Sequence, residues 1–168
     1  MSGVQGERDD RSAGIVERLC YAAALCGGCV VLAAGALIVV SILVRWLLRT
    51  SVPGDVELVQ AATALGAFAF LPLGQISRSN IVVDTFTQWL PERICRRIDA
   101  FWDFIYGVAT LVLGWRLGVG ALDAWRSHTI TTVLGLPIGL FMAVSTVLLF
   151  LLAAASVVTM NRLLRRPA

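Results

Sequence analysis

Long uncharged stretches alternate with short polar ones along this chain. Leu19 to Val44 runs for 26 residues without a charged side chain, and Leu58 to Ser77 runs for 20. At about 1.5 Å per residue in a helix, each stretch can cross the ~30 Å hydrocarbon core of a bilayer. The first is also too long for the apolar core of a signal peptide, which spans roughly 7–15 residues. Both stretches predict transmembrane helices, over about residues 19–44 and 57–77.

The second half of the chain predicts two more crossings. The uncharged stretch that ends at Asn161 begins with polar, β-branched residues typical of a loop, and Pro137 then marks the start of a helix over about residues 137–160. The third span, about residues 100–122, is interrupted by Arg116, whose long side chain can reach the membrane interface. Four spans of this kind predict an all-α integral membrane protein.

The segment between the second and third spans is the most polar internal part of the chain. Its apolar residues recur every three or four positions from Phe86 onward, with charged residues between them. That spacing predicts an amphipathic helix over about residues 85–99 that lies on the membrane surface. Asp84 is placed to cap its first turn, and Pro91 marks a break or a restart. The predicted fold is therefore four transmembrane helices with one interfacial helix between helices two and three.

Composition excludes a soluble globular enzyme. Of the 168 residues 58% are hydrophobic, against roughly 45–50% in soluble domains, and the mean hydropathy is +0.81. A chain this short cannot bury that much apolar surface in one aqueous core, so its solvent must be lipid. The net charge is +3, and all 14 basic residues are arginines that lie between apolar stretches. This pattern is typical of charges that flank membrane spans, so we expect membrane lipids and no nucleic acid as partners.

The distribution of arginines predicts the orientation. With four spans, both chain termini and the middle segment share one side, which carries ten arginines against four on the other. The positive-inside rule makes the ten-arginine side cytoplasmic. Residues 1–18 then form a cytoplasmic amino-terminal tail, and residues 162–168 form a basic cytoplasmic tail.

The residue pattern offers no candidate for catalysis or for binding a metal or cofactor. His128 is the only histidine and lies in a polar stretch without a set of ligands beside it. Cys20, Cys26 and Cys29 fall inside the first span, where we expect inert, buried thiols, and the CxxC that two of them form lacks the flanking strand and helix of a redox motif. We therefore expect a protein that is not an enzyme and needs no cofactor.

Two other membrane functions fit these residues less well. A small homo-oligomeric exporter or channel would ordinarily carry an acidic residue deep in the membrane, and spans one, two and four have no ionisable residue there. A membrane thiol oxidoreductase would need cysteine pairs in its outer loops, whereas the cysteines of span one lie within the membrane. Both remain alternatives, the oxidoreductase the weaker of the two.

Two GxxxG patterns bear on how the helices pack. Gly114 and Gly118 form one in the third span, and Gly135 and Gly139 form another at the entrance of the fourth. Such spacing lets helix backbones approach closely. Packing among the four helices and docking onto a partner membrane protein both fit the pattern.

The end of the second span resembles a known family. Residues Phe70 to Asp84, with the sequence FLPLGQISRSNIVVD, and the following Leu90-Pro91 resemble the DctQ family, the small membrane subunits of tripartite ATP-independent periplasmic (TRAP) transporters. Asn80 stands where histidine is common in the family, which removes a titratable ring but keeps a hydrogen-bonding side chain. A Ser/Thr-rich segment running into Pro137 is a second similarity, and the resemblance covers about Leu19 to Asn161.

The resemblance implies a four-helix scaffold beside a large permease subunit in a bacterial inner membrane. A periplasmic binding protein would deliver an organic acid, and sodium ions would drive uptake. Arg78 and Asp84 would pair, or cap backbone groups, where the second span turns into the interfacial helix. The candidate interface residues on the cytoplasmic side are Arg78, Asn80, Asp84, Trp89, Arg93, Arg96 and Arg97.

A second group of candidates faces the periplasm in this topology. Arg116, Asp123 and Arg126 lie near the outer end of the third span. Contact with the binding protein and plain interfacial anchoring both remain open for these three residues.

Overall fold

The computed structural model of the chain confirms the predicted all-α class and the four spans. It describes the backbone of residues 2–49, 53–77 and 92–165, and the side chains of residues 14–49, 53–77 and 98–163. The helices are α1 (Ser2–Leu48), α2 (Asp55–Ile76), α3 (Glu92–Arg126) and α4 (Ile138–Arg165). Each of the four contains a segment long and apolar enough to cross a membrane.

Two helices are longer than the sequence pattern predicts. Helix α1 has 47 residues, about 70 Å at 1.5 Å per residue, and includes most of the predicted amino-terminal tail. Helix α3 has 35 residues and begins at Glu92, so residues 92–99 continue directly into the third span and form no separate element. Residues 85–91 of the predicted interfacial helix lie outside the described residues. Arginine and glutamate are good helix formers, and helical hydrogen bonding continues through them whether or not lipid surrounds the turn.

The helices form two antiparallel hairpins, α1 with α2 and α3 with α4. Helix α4 also contacts α1 and α2, whereas the described backbone of α3 approaches α4 alone. We call the end of the bundle with the connections 49–54 and 127–137 the loop end. We call the opposite end, where α1 and α3 begin and α2 and α4 finish, the tail end.

Small residues let α3 and α4 approach closely. A Cβ added at Gly114 would lie 3.4 Å from the Cβ of Leu149, and one added at Gly118 would lie 3.2 Å from Cγ2 of Thr146. At Gly139 the added atom would lie 3.2 Å from the carbonyl oxygen of Ala121, a backbone atom of α3. The first GxxxG and the second glycine of the other therefore pack inside the bundle.

The α1–α2 contact is built in the same way. An added Cβ at Gly27 would lie 2.5 Å from Cβ of Ala69, and one at Gly66 would overlap the side chain of Val31. Most buried apolar side chains among the described residues are alanines, such as Ala24 and Ala155. Close backbone approach is how helices associate in lipid, where burial of large apolar side chains gives no advantage over exposure.

The buried hydroxyls of α3 and α4 are satisfied within their own helices. Thr110, Ser145, Thr146, Ser156 and Thr159 each donate to the carbonyl oxygen four residues earlier, at 2.8–3.1 Å. An unsatisfied polar group in lipid costs several kcal/mol, so these bonds make the hydroxyls compatible with the membrane.

Candidate interaction surfaces

The first group of candidate residues lies around the connection between α2 and α3. Residues 78–91, with Arg78, Asn80, Asp84 and Trp89, lie outside the described residues. Arg93, Arg96 and Arg97 belong to the first two turns of α3. The backbone of α3 thus brings these three arginines to the tail end, on the side where the sequence predicts the cytoplasm.

The second group lies on the last third of α3, toward the loop end. Arg116, Asp123 and Arg126 are all exposed, and Arg126 is the last residue of the helix. Residues seven apart on a helix share a face, which places Arg116 and Asp123 one above the other. The structure therefore presents charged side chains of both signs beside the 127–137 loop.

The 127–137 loop is tied to the start of α2 by one carboxylate. Oε1 of Glu57 accepts a hydrogen bond from the backbone N–H of Val133 at 2.8 Å, and Oε2 accepts one from that of Leu134 at 3.0 Å. Glu57 is the third residue of α2, a position from which a glutamate often reaches back to its own helix start. Here it reaches across to the other hairpin and joins the two hairpins at the loop end.

Hydrogen bonds within the loop fix its shape. Thr131 N–H donates to Leu136 O at 2.9 Å, Leu136 N–H donates to the Thr131 hydroxyl at 3.0 Å, and Ile138 N–H donates to Thr129 O at 3.1 Å. Ile130 and Pro137 form an isolated antiparallel bridge. Since the backbone groups pair with one another, the loop is a defined element that projects the exposed side chains of Ile130 and Val133.

The sole histidine has a structural position at the start of this loop. His128 has a φ of 49° and its N–H donates to Trp125 O at 3.3 Å, while Thr129 N–H donates to Ala124 O at 3.0 Å. This pair of bonds is a Schellman motif that closes the carboxyl end of α3, with His128 in the left-handed position. The geometry assigns His128 to helix capping.

Gly54 lets the α1–α2 turn approach the same loop. Its φ is +82°, a conformation that L residues rarely adopt, and a Cβ there would overlap the side chain of Leu134. Beside it, Oδ2 of Asp55 accepts a hydrogen bond from the Ser41 hydroxyl at 2.5 Å, which fastens the start of α2 to α1. The loop end is therefore a continuous contact of α1, α2 and the 127–137 loop.

Two side-chain pairs join the helices at the tail end. The buried amide of Gln75 on α2 donates from Nε2 to Oδ1 of Asp103 on α3 at 2.8 Å. Arg162 on α4 pairs with Glu17 on α1, with 2.8 Å between Nη2 and Oε2, and both side chains are about half exposed. The Gln75 bond links two helices whose described backbones do not otherwise come close.

Large apolar side chains cover the outside of the bundle. Trp46 and Leu32 on α1 are 80% and 75% exposed, and Trp115 on α3 is 69% exposed. A cleft of about 430 Å³ between α3 and α4 adds to this apolar exterior, and Asp103, Phe104, Leu111 and Phe150 are among the residues that line it. A membrane protein turns such surfaces toward lipid or toward another membrane protein.

These surfaces fit an accessory membrane subunit, and the comparison with known families agrees. A family profile described as "Tripartite ATP-independent periplasmic transporters, DctQ component" matches residues 34–166, more than three quarters of the chain. The chain belongs to the DctQ family. Neither a curated protein nor a solved structure matches it significantly.

Membership of the DctQ family makes the chain the small subunit of a TRAP transporter, a multi-pass membrane protein that works with other components. Among the described residues, no group of three or more His, Cys, Asp or Glu side chains could hold a metal ion. Cys20 is buried as expected, but Cys26 and Cys29 are exposed on α1. The correction follows from geometry, because a helix at the edge of a small bundle turns most of its positions outward.

The matched region contains polar contacts that sequence reasoning missed. The contact of Glu57 could not be recognised from the sequence, because its donors are backbone N–H groups and nearly every residue type has one. The Gln75–Asp103 bond joins positions 28 apart in sequence, and a carboxylate at the start of a predicted span, such as Asp103, ordinarily indicates the membrane interface. An uncharged amide in one apolar stretch and a carboxylate at the edge of the next could have indicated a pair between DctQ helices.

Proposed function

We propose that the chain is a scaffold that anchors the large permease subunit of a sodium-coupled TRAP transporter for organic acids. One observation supports this proposal. The small residues and the polar contacts at the two ends join the helices to one another, whereas large apolar side chains cover the outer faces of the bundle. A subunit of this kind is complete as a bundle and offers its exterior to a membrane partner. The coupling ion and the substrate class rest on the family assignment.

The exposed faces of α1 and α3 are the surfaces that support contact with the large subunit. Both helices lie at the edge of the bundle, and Trp46, Leu32 and Trp115 stand on them. Aromatic side chains are enriched where membrane proteins meet each other and the lipid interface. Contact along these faces would widen the transporter's footprint in the bilayer.

The orientation we propose makes the tail end cytoplasmic in a bacterial inner membrane. Ten of the 14 arginines belong to that end by sequence, and α1 begins there and α4 ends there. Arg78, Asn80, Asp84 and Trp89, together with Arg93, Arg96 and Arg97, would then meet lipid phosphates and the large subunit at the cytoplasmic surface.

The loop end would face the periplasm. Arg116, Asp123 and Arg126 are exposed beside the 127–137 loop and would contact the periplasmic binding protein. Charges at the rim of an interface act chiefly on the rate of association, so single substitutions there weaken docking without disturbing the bundle.

Copurification tests the scaffold role directly. A tagged chain is produced together with a large TRAP permease subunit from the same genome, solubilised and analysed by size and composition. We expect a stable complex of the two subunits that takes up an organic acid into liposomes only with a sodium gradient and the binding protein. A chain that purifies as a homo-oligomer without the large subunit would contradict the proposal and favour an exporter or channel.

A matched pair of arginine substitutions tests the docking surface. We expect Arg126→Ala to reduce uptake while leaving assembly of the complex normal, because it removes a charge from the loop end. Arg162→Ala removes the same charge from the tail end and serves as the control. Equal uptake by the two variants would favour plain interfacial anchoring for Arg126.

A further inference from the structure

Glu57 is an acidic residue at a membrane surface whose two carboxylate oxygens both serve the 127–137 loop. It contacts Val133 and Leu134 through their backbone N–H groups, at 2.8 and 3.0 Å. These donors lie at the tip of the loop, 76 and 77 residues away in the sequence. A carboxylate can accept from two neighbouring N–H groups at once, one on each of its oxygens.

The contact adds a bond from outside the loop to those within it. The internal bonds join Thr129 with Ile138 and Thr131 with Leu136 near the base, and Gly135 N–H donates to Thr131 O at 3.2 Å to close the turn. At the tip, Glu57 takes up the N–H groups of Val133 and Leu134. Removal of the carboxylate would therefore free these two N–H groups while leaving the bonds within the loop in place.

The loop carries two exposed apolar side chains, Val133 at its tip and Ile130 nearer its base. Ile130 is 58% exposed and Val133 is 57% exposed, and the charged side chain of Arg126 lies at the start of the loop. An apolar centre with a charged and polar rim is the usual composition of a site that binds another protein transiently. A rigid loop loses less entropy on binding than a free one, so its fixed conformation favours association.

We propose that Glu57 is a positioning residue that holds the 127–137 loop in the conformation recognised by the soluble binding protein of the transporter. The inference rests on the proposed function, because it takes the loop end to be periplasmic and the partner to be that protein. Glu57 itself need not touch the partner. Its effect passes through the backbone of Val133 and Leu134.

The chain offers a matched control two residues away. Asp55 is also an acidic residue in the first turn of α2, but it accepts from the Ser41 hydroxyl and from Val56 N–H, and it does not bond to the loop. Asp55→Asn thus makes the same change of charge at the same helix start as Glu57→Gln. A glutamine at position 57 keeps one acceptor and turns an NH₂ group toward the second N–H donor.

The experiment measures uptake by the complete transporter in liposomes against the concentration of binding protein. We expect Glu57→Ala to raise the half-saturating concentration by roughly tenfold, since hydrogen bonds to a charged acceptor are typically worth a factor of that size. Glu57→Gln should give a smaller increase, and Asp55→Asn should match the wild type. The maximal rate and the yield of assembled complex should stay unchanged.

Hydrogen exchange, measured on the same complexes, reports directly on the backbone amides of the loop. The Val133 and Leu134 amides should lose protection in both Glu57 variants and keep it in Asp55→Asn. Loss of protection with an unchanged half-saturating concentration would overturn the inference, and so would a maximal rate that falls in step with the yield of complex. If Glu57→Ala fails to assemble, Glu57→Gln decides between these results. If the uptake rate of the wild type does not depend on added binding protein, the proposed function is overturned, and the inference with it.

Discussion

The two ends of the bundle are fastened by different kinds of contact. At the loop end, a carboxylate binds backbone N–H groups, and a glycine with φ +82° lets a turn lie against Leu134. At the tail end, side chains bind side chains, through Gln75 with Asp103 and Glu17 with Arg162. Beside the side-chain pair of Ser41 with Asp55, the loop end depends on the path of the backbone, whereas the described contacts of the tail end are side-chain pairs that could be exchanged.

This difference indicates how each end can serve the transporter. Backbone donors and glycine conformations specify a shape, so in the proposed orientation the loop end would present a fixed surface to the binding protein. Side-chain pairs between long residues tolerate small shifts of the helices, which suits an end set among lipid headgroups. Substitutions should therefore cost more at the loop end than at the tail end.

The largest effect is expected from Gly54→Ala at the loop end. A left-handed conformation costs an L residue roughly 1–2 kcal/mol, and the new methyl group would also overlap Leu134, so we expect a total loss of about 2–4 kcal/mol. Thermal unfolding of the purified protein in detergent measures it. Gly35→Ala on α1 is the control, because no atom lies within 4 Å of the added Cβ and alanine favours the helix. Equal shifts for the two variants would contradict the role of Gly54.

A smaller effect is expected from Gly139→Ala, where α4 leaves the loop end. The added methyl group would lie 3.2 Å from Ala121 O and 3.3 Å from Trp125 N, and these backbone atoms cannot move without separating α3 from α4. We expect a loss of about 1–3 kcal/mol, measured in the same way. Gly120→Ala is the control in the same contact, since its methyl group would meet only the flexible end of Met142. If Gly120→Ala costs as much, general crowding and not the backbone contact limits the α3–α4 distance.

The tail end is tested first through Gln75 and Asp103. Asp103→Ala removes an acceptor of a buried amide, for which we expect a loss of about 1–2 kcal/mol. Gln75→Ala completes a double-mutant cycle. The losses of unfolding free energy in the two single variants should add up to at least ~0.5 kcal/mol more than the loss in the double variant. Thr110→Ala, whose hydroxyl bonds within α3, should be additive with Gln75→Ala. Additivity in both cycles would show that the Gln75–Asp103 bond does not join α2 to α3.

The sequence predicted the transmembrane helices better than it predicted the helix boundaries and the contacts between helices. The four spans followed from apolar length, because a helix is the simplest structure that satisfies its backbone in lipid. The sequence pattern separated an interfacial helix over 85–99 from a span beginning at about residue 100, because the most charged segment ends there. In the structure α3 starts at Glu92 and continues through, since local helical bonding does not depend on the membrane boundary. Glu57 was missed because backbone donors have no sequence signature. Gly114 and Gly118 were recognised as a packing motif, and only the structure shows that their partner is α4.

The smallest effect is expected from Arg162→Ala at the tail end. The pair with Glu17 is about half exposed on both sides, and surface ion pairs of this kind contribute ~0–1 kcal/mol, less in high salt. We expect a slight drop in the unfolding temperature at low salt that disappears in high salt, and recovery when the charges are exchanged as Glu17→Arg with Arg162→Glu. A drop that persists in high salt and approaches that of Gly54→Ala would mean that the tail end is as strictly specified as the loop end. The contrast between an end fixed by the backbone and an end fixed by exchangeable side chains would then fail.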